Sequence, residues 1–154
     1  MDGYVVSVDR VIEAPAAALF AVVADANRHP EIDGSGSVIK AKEGTPEILT
    51  MGSVFGMSMK AGIPYSMKNT IIEFEQDRRI AWQTVFAGPL GRFFGGRIWR
   101  YEFDSVEGGT KVTESWDISK DRQRAMLKRV GPLVKETGVG MRKTLDRLAG
   151  VVGA

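Results

Sequence analysis

Apolar and polar residues alternate along much of this chain, most sharply between Arg97 and Ser119, RIWRYEFDSVEGGTKVTESWDIS. Two runs rich in aromatic and β-branched residues flank Gly108-Gly109, the pattern of a hairpin closed by a two-residue turn. With those glycines as the turn, Phe103 faces Glu114, Tyr101 faces Trp116 and Trp99 faces Ile118, all six on one face. The other face is then polar, with Arg100 opposite Asp117 and Asp104 opposite Thr113. Four large rings and a single carboxylate, Glu114, exceed what a small sheet needs to exclude water. This face is a candidate cavity wall.

The same period of two predicts further strands. Tyr4 to Glu13 places Val6, Val8 and Ile12 in one phase with Arg10 among them, and Ala14-Pro15 ends it. Ser37 to Glu43 is a short strand after Gly34-Ser35-Gly36. In Gly52 to Lys60, Phe55, Met57 and Met59 share a face. Tyr65, Met67 and Asn69 are in phase within Tyr65 to Gln76, where the Ile71-Ile72 doublet marks a bulge. Ile80, Trp82, Thr84 and Phe86 are in phase within Arg79 to Ala87. The segment GPLGRFFGG that follows is a loop with apolar contents, Leu90, Phe93 and Phe94.

Helical spacing appears in three places. Ala16 to Asp25 is a short, largely buried helix, and Asn27 to Asp33 a second short helix or turn. From Asp121 to about Ala149, Met126, Val130, Leu133, Thr137, Met141, Leu145 and Leu148 recur every three or four residues, so this stretch is a long helix with an apolar stripe. Gly131-Pro132 should kink or split it.

Composition narrows the chemistry. A length of 154 residues, 44% hydrophobic and 26% charged, suits one soluble domain over residues 1–154 with a core of its own. Without cysteine there is no disulfide, thiol nucleophile or cysteine-ligated metal. The opening MDGYVVSVDR has no signal-peptide pattern and no apolar run is long enough to span a bilayer, so a cytoplasmic location is expected. The net charge of +2 hides an asymmetry: from Lys120 onward nine Lys/Arg face three acids, +6, which leaves −4 for the first 119 residues. Such a segment can meet nucleic acid or an anionic membrane. Its helical spacing, free of interleaved aromatics, favours a solvated helix face.

The order of these motifs resembles the polyketide cyclase/dehydrase and lipid-transport superfamily, the START-like (SRPBCC), birch-pollen-allergen-like proteins. SVDRVIEAPAAALFAVVAD is similar to the family's first strand, Ala-Pro corner and first helix. NRHPEID sits where such sequences place a short helix, with Ile32 in place of the usual following Trp. IIEFEQDRRIAWQ resembles the central hairpin and GGTKVTESW the landmark before the C-terminal helix. The resemblance covers almost the whole chain and implies an α+β, helix-grip fold: a seven-stranded curved antiparallel sheet wrapped around a long C-terminal helix, two short helices after strand 1, and an apolar tunnel between sheet and helix. The same fold hosts carriers, receptors and cyclases, so it does not by itself assign a function.

Several chemistries find no support. His29 is the only histidine and, beside Pro30 and Glu31, is read as a surface or capping residue. No serine-histidine-acid triad, zinc site or phosphate-binding loop is assembled by the spacing, and no cofactor or metal is expected. Glu114 facing a cavity would have a raised pKa and could serve as acid, base or ligand anchor. The preferred reading pairs it with Arg10, which the resemblance places on a neighbouring strand, because an unpaired buried charge is costly.

The expected function is binding, transport or sensing of a small hydrophobic molecule, a lipid, polyketide-like or isoprenoid compound, rather than catalysis. Its proposed lining is Phe55, Met57, Met59, Tyr65, Met67, Asn69, Trp82, Trp99, Tyr101, Phe103, Glu114, Trp116 and Met141, with Leu90, Phe93 and Phe94 as a gate. Ordinary core packing explains many of these residues equally well. The alternative is a cyclase or dehydratase using Glu114 and Tyr101, and a third reading is a regulatory module acting through the basic helix. No nucleic-acid partner is expected, a transient membrane contact is compatible with the basic segment, and no protein partner is indicated.

Overall fold

The structure, a computed structural model, describes residues 3–153. Seven strands form one antiparallel sheet in the order β1-β7-β6-β5-β4-β3-β2. They are β1 (Val5–Ile12), β2 (Val38–Ala41), β3 (Val54–Ala61), β4 (Ile63–Glu75), β5 (Arg79–Phe86), β6 (Gly95–Val106) and β7 (Gly109–Asp117). Between β1 and β2 lie α1 (Ala16–Val23), a 3-10 turn and α2 (His29–Ile32), and after β7 come α3 (Arg124–Arg129) and α4 (Gly131–Val151). The curved sheet, the long C-terminal helix and the short helices after β1 are the α+β architecture expected. The doublet near Ile71 also behaves as predicted: the β4–β5 register shifts between Ile71 and Glu73.

The β6–β7 hairpin differs in its turn. Val106 pairs with Gly109, so Glu107-Gly108 forms the turn, and Tyr101 faces Glu114, Trp99 faces Trp116 and Phe103 faces Val112. Moving the turn by one residue shifts each partner by two positions. Because side chains alternate with a period of two, every side chain keeps its face. Arg100 now lies opposite Ser115 and Asp104 opposite Lys111. The Arg100–Asp117 contact survives diagonally at 3.5 Å, while the closer partner of Arg100 is Glu73 at 2.6 Å.

Gly109 is required by neither turn position but by a close approach. Its φ is +152°, and an added Cβ would sit 2.1 Å from the carbonyl oxygen of Ile12 at the end of β1. Gly108 has φ +86° with open space around it.

The helix expected from Asp121 to Ala149 is split at Val130, whose ψ of 85° is not helical, with Pro132 in the first turn of α4. The split resets the helical phase. Met141, Leu145 and Leu148 are buried, but Met126 and Val130 are exposed and Leu127 is buried in their stead. The interior has two unequal halves. At one end, α1 fills the space under the sheet, with Phe20 edge-on to both Phe74 and Phe103 at 5.6 Å. At the other, α4 bridges the sheet and is held to the α2–β2 loop, where Gly34 N–H donates to Thr144 Oγ1 at 2.9 Å.

Gly109→Ala is expected to cost about 1–3 kcal/mol or more, from backbone strain plus the clash with β1, and Gly108→Ala only about 1–2 kcal/mol, from left-handed strain alone. Urea unfolding of the two variants checks this; equal losses would contradict the close approach.

Candidate functional site

Directly paired residues on antiparallel strands point to the same side, so the registers line up rows of side chains across the concave face. One row reads Phe55, Asn69, Thr84 and Arg97; the next, Ile71, Trp82, Trp99, Trp116 and Val6; a third, Ile80, Tyr101, Glu114 and Val8. Met57, Met67 and Phe86 form another row across β3, β4 and β5. Opposite them α4 offers Leu133, Thr137, Gly140, Met141 and Thr144, a surface too small to fill the concavity. A cavity of about 1180 Å3 is left between sheet and helix.

Twelve of the residues proposed as lining do line it: Phe55, Met57, Met59, Tyr65, Met67, Asn69, Trp82, Trp99, Tyr101, Glu114, Trp116 and Met141. Phe103 does not. It lies where α1 has already closed the sheet, and its ring packs on Phe20. The proposed gate residues are also elsewhere: Leu90 and Phe94 share a separate small depression with Phe86, and Phe93 is 62% exposed. Leu90 belongs to a 3-10 turn, Gly88–Arg92, none of whose residues is buried.

His29 is the main surprise. Far from being a surface residue, it is buried and lines the cavity. Its Nε2 lies 2.7 Å from the carbonyl oxygen of Val23, which can only accept, so Nε2 carries the proton. The ring stacks on Trp82 at 5.0 Å, and Trp82 stacks in turn on Tyr101 at 5.7 Å. Burial holds the His29 pKa below its ordinary value. A signal existed in the sequence: Ala26, His29 and Ile32 are three apart and all buried, one side of a short helical segment.

Most polar groups in the chamber are already paired. Thr84 Oγ1 donates to Asn69 Oδ1 at 2.7 Å, and Asn69 Nδ2 donates to the carbonyl of Phe55 at 3.4 Å. Arg97 Nε donates to the fully buried Asp121 at 3.0 Å. Arg10 is not the partner of Glu114. It does share the inward phase, opposite Val112, but its guanidinium reaches the exposed Asp146 of α4 at 2.7 Å, where both charges stay hydrated.

Glu114 instead accepts the Tyr101 hydroxyl on Oε1 at 2.8 Å, and its Oε2 is buried without a partner. Burial is the main cause that pushes its pKa up, to about 8; the Tyr101 hydrogen bond opposes this, and the charge of Asp33 adds to it. Glu114 is therefore largely a neutral acid at pH 7. Burial, with Glu114 next to it, raises Tyr101 well above the usual phenol range. The pair can hold or move a proton beside an apolar chamber.

A family model described as polyketide cyclase / dehydrase and lipid transport matches residues 4–153. The chain belongs to that family. Among its relatives, the uncharacterized protein Rv0088 of Mycobacterium tuberculosis is 40% identical over 108 residues, covering 69% of this chain and 44% of that protein. The chain thus spans less than half the length of the curated relatives it matches. Two solved structures share the fold: protein CV1439 from Chromobacterium violaceum (TM-score 0.73, 15% identity, 98% of each chain) and the AHSA1-like protein from Aeromonas hydrophila (TM-score 0.65, 19% identity, 96% of this chain and 91% of that one). Among the described residues no helix of this family member is long and apolar enough to cross a membrane.

The two buried groups give opposite pH slopes. A carboxyl whose pKa is raised on folding binds more protons in the native state, so the Glu114 contribution falls as pH rises from about 4.5 to about 8. The His29 contribution, with a lowered pKa, is lost as pH falls below 6.5. Between pH 6.5 and 8 only the Glu114 slope remains of these two. Urea unfolding of wild type over that interval is expected to show stability declining by roughly 1–2 kcal/mol, about 1.4 kcal/mol per pH unit at most. Glu114→Gln should flatten the decline.

Proposed function

We propose that this chain binds and carries a small hydrophobic molecule in the chamber between sheet and α4, of the lipid, polyketide-like or isoprenoid kind. The observation that carries this reading is the chamber itself, about 1180 Å3 walled by thioethers and large rings such as Met57, Met67, Trp82 and Trp99. Its polar groups are largely committed to each other, so a guest is retained mainly by apolar contact, at about 25 cal/mol per Å2 buried before the costs of association. Flexible methionines accommodate guests of differing shape. Membership of a family described by lipid transport supports the same reading.

Native mass spectrometry of the gently purified protein is expected to reveal a bound apolar mass. Adding a suitable lipid at about 100 times its Kd should stabilise the fold by about 2.7 kcal/mol, a rise in Tm of roughly 5–10 °C for a chain of this size. No bound mass and no thermal response across a broad lipid panel would overturn the reading.

A second reading, a cyclase or dehydratase, is favoured by one arrangement: the Tyr101–Glu114 hydrogen bond, with a carboxyl poised near neutral pH. In its neutral form such a carboxyl donates a proton to a leaving hydroxyl, and in its ionised form it takes one from carbon next to a carbonyl. In that case Glu114→Gln, folded as judged by circular dichroism, should lower turnover of a bound polyketide-like substrate by about 100-fold or more. Unchanged turnover in the folded variant removes Glu114 from the chemistry.

A further inference from the structure

The apolar loop, whose Leu90, Phe93 and Phe94 lie outside the chamber lining, is held in place by the segment before α3. Gln123 ties it to the segment before α3: its Nε2 donates to the carbonyl of Phe93 at 2.8 Å, and its Oε1 accepts from Gly95 N–H at 3.0 Å. Arg122 N–H donates to the carbonyl of Gly95 at 3.0 Å, a third link. These links set the loop beside the start of α3, and the exposed apolar residues of the two joined segments are Leu90, Phe93, Phe94, Met126 and Val130.

The charge of these two segments is predominantly positive. In residues 86–97 and 118–135 the single acid is Asp121, and it is fully buried against Arg97. Arg92, Arg122, Arg124, Lys128 and Arg129 are exposed, and among the described residues none of them pairs with a carboxylate. The two segments also border the chamber. Phe86 lines both the chamber and the depression holding Leu90 and Phe94, and Pro132 and Leu133, just after Val130, line the chamber.

We propose that this face docks on an anionic lipid surface, with Phe93, Phe94 and Leu90 entering the boundary of the acyl chains and the arginines and lysines meeting headgroup phosphates. Exposed apolar side chains beside cations that have no carboxylate partner among the described residues match that interface in both components. A nucleic acid would meet the cations, but its hydrated backbone leaves Leu90, Met126 and Val130 uncovered. The chamber's border is thereby brought to the bilayer. Docking is separate from occupancy of the chamber, which mass spectrometry reads without vesicles.

Co-sedimentation of the full chain with vesicles of phosphatidylcholine alone, and of phosphatidylcholine with about one-third phosphatidylglycerol, tests the proposal. Binding to the anionic vesicles is expected to be about tenfold or more tighter, and to weaken with salt. Phe93→Ser/Phe94→Ser and Arg122→Glu/Arg129→Glu should each lose about tenfold while far-ultraviolet circular dichroism stays unchanged, since all four side chains are exposed. Absence of binding to anionic vesicles, or equal binding to both compositions, overturns it. So does vesicle binding by folded Phe93→Ser/Phe94→Ser at wild-type strength, and so does binding to a single-stranded DNA oligonucleotide tighter than to the vesicles.

Discussion

Antiparallel pleating obliges every second side chain of the seven strands to point into one concavity, and the helix laid across it can close that space without filling it. The other features follow from this constraint. Where α1 lies under the sheet, Phe20 meets Phe74 and Phe103 and the interior is solid. Where α4 spans it with Gly140, Met141 and Thr144 on its inner side, space remains. One architecture therefore produces both a packed core and a chamber, and the boundary between them passes between Tyr101 and Phe103, neighbours on the same face of β6.

A chamber built this way places heavy demands on any polar group that faces it. A group buried at such a wall is paired or loses its charge. Thr84 with Asn69 and Arg97 with Asp121 follow the first course. Glu114 follows the second, held as a neutral acid beside Tyr101. His29 avoids charge by donating from Nε2 to a backbone carbonyl and stacking on Trp82. The carrier and the catalyst proposed for this wall differ in whether the Glu114 proton ever leaves.

Outside the chamber the same economy explains why exposed apolar groups concentrate where they do. Leu90 lies on a 3-10 turn with no buried residue, Phe94 is exposed just before β6, and the break at Val130 leaves Met126 out of the stripe that α4 buries. Among the described residues their basic neighbours have no carboxylate partner. The chain asymmetry in charge thus becomes a local surface property only after the β5–β6 loop and the α3 segment are brought together by Gln123.

The sequence by itself determined the strands, their order of appearance and, through the period of two, which side chains share the concave face. Even a turn misplaced by one residue left those faces intact, because it moved each partner by two. That is why twelve of the proposed lining residues sit on the chamber while the pairing inside the hairpin differed. Depth along a face is another matter. Only tertiary structure decided that Phe103 lies under α1, that Arg10 reaches Asp146 rather than Glu114, that a turn of α2 carries His29 inward, and that Leu90, Phe93 and Phe94 point to solvent. Periodicity reports which side of an element a residue occupies; what stands opposite it depends on how far distant elements slide and where a helix breaks.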